Sequence, residues 1–116
     1  MSNTVATLLS AQALTASGSE PAGHIAGGPL APGGDSVSVQ IIVSAATGTT
    51  PSATFSLLWS NDNVTFSPAS PADAFAAITA AGSVVQRFAT KGQFYKLAWV
   101  VTGTTPSLTT TARAYS

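Results

Sequence analysis

One six-residue phrase occurs twice in this chain. Thr47-Gly48-Thr49-Thr50-Pro51-Ser52 returns as Thr102-Gly103-Thr104-Thr105-Pro106-Ser107. An identity of that length in 116 residues implies two similar supersecondary units. Gly tolerates φ > 0 where a chain changes direction. Pro fixes φ and withholds an N–H, so it belongs at a turn or a strand start rather than inside a ladder. Each copy lies between strand-like stretches, 36–45 and 53–60 for the first, 94–101 and 108–115 for the second. The phrase therefore predicts two strand–turn–strand units.

Alternation supports this. Val37, Val39, Ile41, Val43 and Ala45 share one face of residues 36–45, while Ser36, Ser38, Gln40 and Ser44 share the other, with Ile42 as the exception. Period two of this quality marks a half-buried antiparallel strand. Phe55, Leu57 and Trp59 repeat the pattern, as do Tyr95, Leu97, Trp99 and Val101, opposite a solvated Lys96. Trp59 and Trp99 are expected at equivalent core positions. Residues 4–9 form a strand, extending toward residue 16, and 84–90 form another. Asn61, Asp62 and Asn63 favour a tight hairpin tip at 60–66, because Asx residues bond their own backbone and accept left-handed φ. Residues 67–72 hold Pro68 and Pro71 and read as a connector. Residues 73–81 read as a strand. The alternative is a short helix capped by Asp73 and ended by Gly82. Roughly seven to nine short strands between Gly, Pro and Asx turns predict an all-β antiparallel β-sandwich, immunoglobulin-like or jelly-roll-like. It is one domain, with an N-terminal strand and Gly/Pro-rich arm over 1–34 and the sandwich core over 35–116.

Composition narrows the function. Only 7% of residues are charged, against about 25% in ordinary soluble domains. So bare an exterior resists self-association weakly, which suits a subunit whose surface is covered by partners. The net charge is zero, so nucleic-acid binding has no electrostatic support. The acids precede the bases along the chain, which suits pairing between the two halves of one sandwich, the alternative being a head-to-tail contact between subunits. No cysteine is present, and no apolar run is long enough to span a membrane as a helix. The first basic residue is Arg87, so no secretory signal is expected and the sequon at Asn63 is idle. No metal-ligand spacing, phosphate-cradling Gly motif or cofactor motif occurs. The sole histidine, His24, lies in the Gly/Pro stretch with nothing to orient it, so no catalytic residue is assigned and no enzyme is expected.

Residues 18–34 are too rich in Gly and Pro for regular structure. They form either a mobile surface loop or an arm that lies along a neighbouring subunit. In the second case Gly23, His24, Ile25, Pro29, Leu30 and Pro32 are the candidate assembly contacts.

The order of motifs resembles a family. A strand ending in Trp59-Ser60 is followed by the tip Asn61-Asp62-Asn63-Val64-Thr65-Phe66, then Gly92-Gln93-Phe94-Tyr95-Lys96, and the Gly-Thr-Thr-Pro-Ser phrase occurs on both sides. Residues 36–116 are similar to the small β-sandwich virion structural proteins of tailed bacteriophages. Asn63 stands where that tip usually has Gly, and Asn is the next best left-handed residue. The resemblance implies a capsid decoration (cement) protein on the outer surface of the head. It would be homo-oligomeric, most simply a trimer, with the major capsid protein or another virion protein as partner. Assembly would take place in the host cytoplasm, with no membrane, nucleic acid or cofactor involved. The alternative is a tail-tip or fibre module that binds host glycans.

Overall fold

The computed structural model describes residues 5–20, 23–25 and 36–115. Every regular element in it is a strand: β1 (Val5–Leu14), β2 (Gly18–Ser19), β3 (His24–Ile25), β4 (Ser36–Ser60), β5 (Ser67–Ala74), β6 (Gly82–Ala89) and β7 (Phe94–Tyr115). All pairings are antiparallel. The all-β antiparallel class is the one expected from alternation, with all seven strands joined in one sheet.

The role of the repeated phrase is different from the expected one. Neither copy closes a hairpin. The chain runs through both copies, and two long strands, β4 and β7, pair with each other from Ser38↔Tyr115 to Ser60↔Phe94. The copies meet at the middle of this ladder, where Thr47 faces Ser107 and Ser52 faces Thr102. The contact is reciprocal, as in an isologous interface, but within one chain. Gly48 has φ 106° and Gly103 φ 119°, while Thr50 and Thr105 take 48° and 45°. A Cβ on Gly48 would lie 2.5 Å from the Thr105 carbonyl oxygen, and one on Gly103 would lie 2.7 Å from that of Thr50. Each copy needs glycine because the other copy's backbone fills the space a side chain would take. The phrase recurs because a two-fold crossing asks both strands for the same conformation.

The crossing also bends the ladder. Twenty-five residues of straight strand would span about 80 Å, yet the longest dimension of the molecule is 46 Å. The bent ladder forms two layers. In one, the start of β4 and the end of β7 are flanked by β6 and β1. In the other, the end of β4 and the start of β7 are flanked by β5 and by β2 and β3. Strands that change sheet at a bend are a known way to make such corners. A single hydrophobic cluster takes side chains from both layers. Phe75, whose N–H donates to the Phe55 carbonyl at 2.8 Å, meets Phe88 of β6 edge-to-face with centroids 5.4 Å apart.

Other expectations are corrected by the ladder. Trp59 and Trp99 are both buried as expected, but they are not equivalent: Trp99 faces Phe55 and Trp59 faces Tyr95. Residues 67–72 are part of β5 despite Pro68 and Pro71, because an edge strand has one side that needs no donors. Over 73–81 neither the expected strand nor the alternative short helix forms: β5 ends at Ala74, and beyond it Ile78 makes an isolated bridge. Ile78 exchanges both backbone hydrogen bonds with Ala53, at 2.8 and 2.9 Å. Regular structure does occur in the Gly- and Pro-rich stretch, since β2 and β3 pair along the edge of β7.

Candidate functional site: the aromatic end of the ladder

The polar chemistry of the molecule gathers at the Ser60↔Phe94 end of the ladder. It begins with Glu20, 5% exposed in a stretch otherwise Gly- and Pro-rich. Its N–H donates to the Leu97 carbonyl at 2.9 Å, and its Oε1 accepts the Leu97 N–H at 2.8 Å. Oε2 lies 2.7 Å from His24 Nε2. A buried carboxylate needs such partners, because an uncompensated charge in an apolar setting is strongly disfavoured. The His24 ring, on the strand opposite Tyr95, packs with its centroid 5.4 Å from that phenol ring. His24 is therefore oriented, contrary to the sequence reading. Tyr95 is 1% exposed, and burial first, then the Glu20 carboxylate, push its phenol up to about 12.

The row continues across the sheet. Tyr95 packs against Trp59 with centroids 6.2 Å apart, and Trp59 Nε1–H donates to Asp73 Oδ2 at 2.8 Å. Lys91 Nζ holds the same carboxylate at 3.0 Å and donates to the Ala89 carbonyl at 3.1 Å. This ion pair joins the last acid of the chain, Asp73, to a base that follows it. Asp73 thus serves as the acceptor for a buried indole rather than as a helix cap.

The tip beside the row is built as its residues predict. Asn63 has φ 58°. Asp62 Oδ1 accepts the N–H groups of Val64 and Thr65 at 2.9 and 3.0 Å and the Ser60 hydroxyl at 2.7 Å. The Ser60 hydroxyl, then those two amides, hold the Asp62 carboxylate down at about 2 from its ordinary 3.8. Gly23 lies against this tip: a Cβ there would meet Phe66 Cζ and Asn63 Oδ1. The Lys96 ammonium stands 4.7 Å from the Phe66 ring centroid. An open recess of about 450 Å³ lies between the tip and β5, lined by Trp59, Asn61, Thr65, Ser67, Pro68 and Lys91 among others.

Three candidate contacts, Gly23, His24 and Ile25, are thus placed together along β7 and the tip. Pro29, Leu30 and Pro32 lie outside the described residues. Glu20 and Asp73 are the residues that sequence reasoning missed. A lone Glu four positions before the sole His was the available signal for the first. Chemically the arrangement is a clamp. Among the described residues His24 bonds to Glu20 and to no nucleophile, and no group of three or more His, Cys, Asp or Glu could hold a metal ion.

No family model matches the chain, and no curated protein matches it. Among solved structures, the crystal structure of SPBc2 prophage-derived protein YomS is similar, with a TM-score of 0.51 at 13% identity over 98% of this chain and 93% of that one. At that identity the likeness shows the fold, and the chain shares its antiparallel β architecture with a prophage-derived protein over nearly its whole length.

Proposed function

We propose that this chain is a non-enzymatic structural protein of a tailed-bacteriophage particle, a decoration protein that binds the outer surface of the head as a homo-oligomer. The observation that carries the reading is the fold it shares, end to end, with a prophage-derived protein. The exterior poor in ionic groups supports it, as do the motifs of the tip and ladder. The partner is the major capsid protein or another virion protein, met after assembly in the host cytoplasm.

In this reading the contacts lie in residues 23–32. Removing all of 18–34 would be a poor test, because β2, β3 and Glu20 complete the sheet. The cleaner variant replaces Pro29, Leu30 and Pro32 together with Ser. It is expected to unfold at the wild-type temperature and to co-sediment with undecorated heads at least tenfold more weakly. Wild-type protein that never co-sediments with heads, and is absent from purified particles by mass spectrometry, overturns the reading. The hydroxyl-rich recess beside Trp59 favours a second reading, a tail-tip module that binds host glycans. Labelling confined to the tail, with glycan-array binding lost in Asn61→Ala, would select it.

A further inference from the structure

A sheet edge displays unpaired N–H and C=O groups that another strand can take up, and proteins blunt their edges to prevent it. Three edges of this molecule are blunted. β5 carries Pro68 and Pro71 and a register shift. β1 is broken by two register shifts, with Ala11 at φ 46°. β2 and β3 are two residues each.

β6 is different. Its eight residues pair with β4 without a shift, from Ser36↔Ala89 to Val43↔Gly82. It contains no proline, and Arg87 is its one ionic side chain. Ser83, Val85, Gln86, Arg87 and Ala89 are all exposed, Val85 by 60%. Among the described residues no backbone hydrogen bond reaches its outer side, and only at its end does Lys91 take the Ala89 carbonyl. Just inward on the same face lies a recess of about 310 Å³ lined by Val85, Gln40, Arg113 and Tyr115 among others.

We propose that β6 is an interface for a second copy of this chain, paired antiparallel about a two-fold axis at Val85. The strand's own sequence selects this occupant. An axis there sets Val85 against its counterpart, so the most exposed apolar side chain of the edge is buried against its like. It sets Arg87 against the counterpart of Ser83, so no like charges meet. It also continues one sheet across two subunits, with a recess on either side of the axis. A closed ring by strand pairing would need a second regular edge, which the described residues do not offer, so the pairing makes a dimer rather than a trimer.

The chain has no cysteine, so a single introduced thiol reports the axis directly. Val85→Cys is expected to give a disulfide-linked dimer on mild oxidation, while Val64→Cys, on the 80% exposed tip residue, is expected to stay monomeric on a non-reducing gel. Val85→Lys, which places two ammonium groups together, is expected to raise the dimer dissociation constant at least tenfold by analytical ultracentrifugation, with an unchanged circular dichroism spectrum. A wild type that is monomeric at all concentrations, or an oligomer indifferent to Val85→Lys, overturns the proposal, as does equal cross-linking of the two cysteine variants. Head binding is read separately: a β6 dimer that ignores heads leaves this inference standing and removes the decoration reading.

Discussion

The two layers share a backbone plan and differ in what fills it. The repeat relates Phe55 to Thr110, Leu57 to Ala112 and Trp59 to Ala114. With Ser44 counted as the extra residue of the register shift, it relates Val43 to Trp99, Ile41 to Leu97 and Val39 to Tyr95. All twelve positions are buried. Symmetry thus extends to which positions face inward, but not to size. One layer holds the cross-strand pairs Phe55↔Trp99, Leu57↔Leu97 and Trp59↔Tyr95, and the other holds Val43↔Thr110, Ile41↔Ala112 and Val39↔Ala114. Large side chains from one layer and small ones from the other share one core.

The difference sets where charge can sit. Buried Trp59 brings an indole N–H that needs an acceptor, and the aromatic layer supplies one. Trp59 is held by Asp73, Asp73 by Lys91, and the Glu20–His24 pair borders Tyr95. The other layer buries one side-chain hydroxyl at these positions, that of Thr110, and it donates to the nearby Leu108 carbonyl at 3.0 Å. The β4, β6 and β7 segments of this layer carry only Arg87 and Arg113 as ionic groups, and the regular edge is on that layer. The end that is chemically elaborate and the regular edge are therefore on different layers.

Breaking the crossing tests the shared plan and should cost most. Gly48→Ala and Gly103→Ala each place a Cβ against backbone at positive φ, and each should lose about 3 kcal/mol in urea denaturation. Equal losses are the point: if one variant is tolerated, the two-fold relation at the crossing is not real. Exchanging sizes sharpens the contrast between the layers. Leu57→Ala should cost about 3 kcal/mol from the cavity it leaves. Ala112→Leu at the related position should cost about 2 kcal/mol from overpacking. Two costs of opposite origin are expected. A stabilising Ala112→Leu would mean that the small layer is simply underpacked.

The smallest effect belongs to the tip. Asp62 is fully ionised in the fold to lower pH than in the unfolded chain. Its contribution is present above pH 3.8 and is lost as pH falls through about 2. Carboxyl NMR titration should find that midpoint, and Ser60→Ala should move it back toward 3.8 because the Ser60 hydroxyl is the leading cause. A midpoint unchanged by Ser60→Ala would put the whole shift on the Val64 and Thr65 amides.

Burial facing was readable from alternation at Val37, Val39, Ile41, Phe55, Leu57, Tyr95 and Leu97, all of them buried. So was the left-handed Asn63, since Asx turns are set by neighbours in sequence. At Glu20 only the pairing with His24 had a local signal, the spacing of four; its burial under Leu97 was not readable, because that partner is distant in sequence.

Local sequence thus determined that this chain makes strands, which faces turn inward, and that Gly48 and Gly103 break the ordinary backbone. Tertiary structure alone decided that these glycines let two strands cross instead of turning each strand back on itself. It also decided that prolines could lie within β5 and that β6 was left as the regular edge. The reason is physical. Alternation specifies the side of a sheet on which a side chain falls, through steric and solvation preferences that each residue carries with it. A strand's hydrogen-bond partners are chosen by the closure of the whole ladder, and two strands flanking a Gly-Pro phrase satisfy their backbones equally well with each other or with a second copy of the same unit.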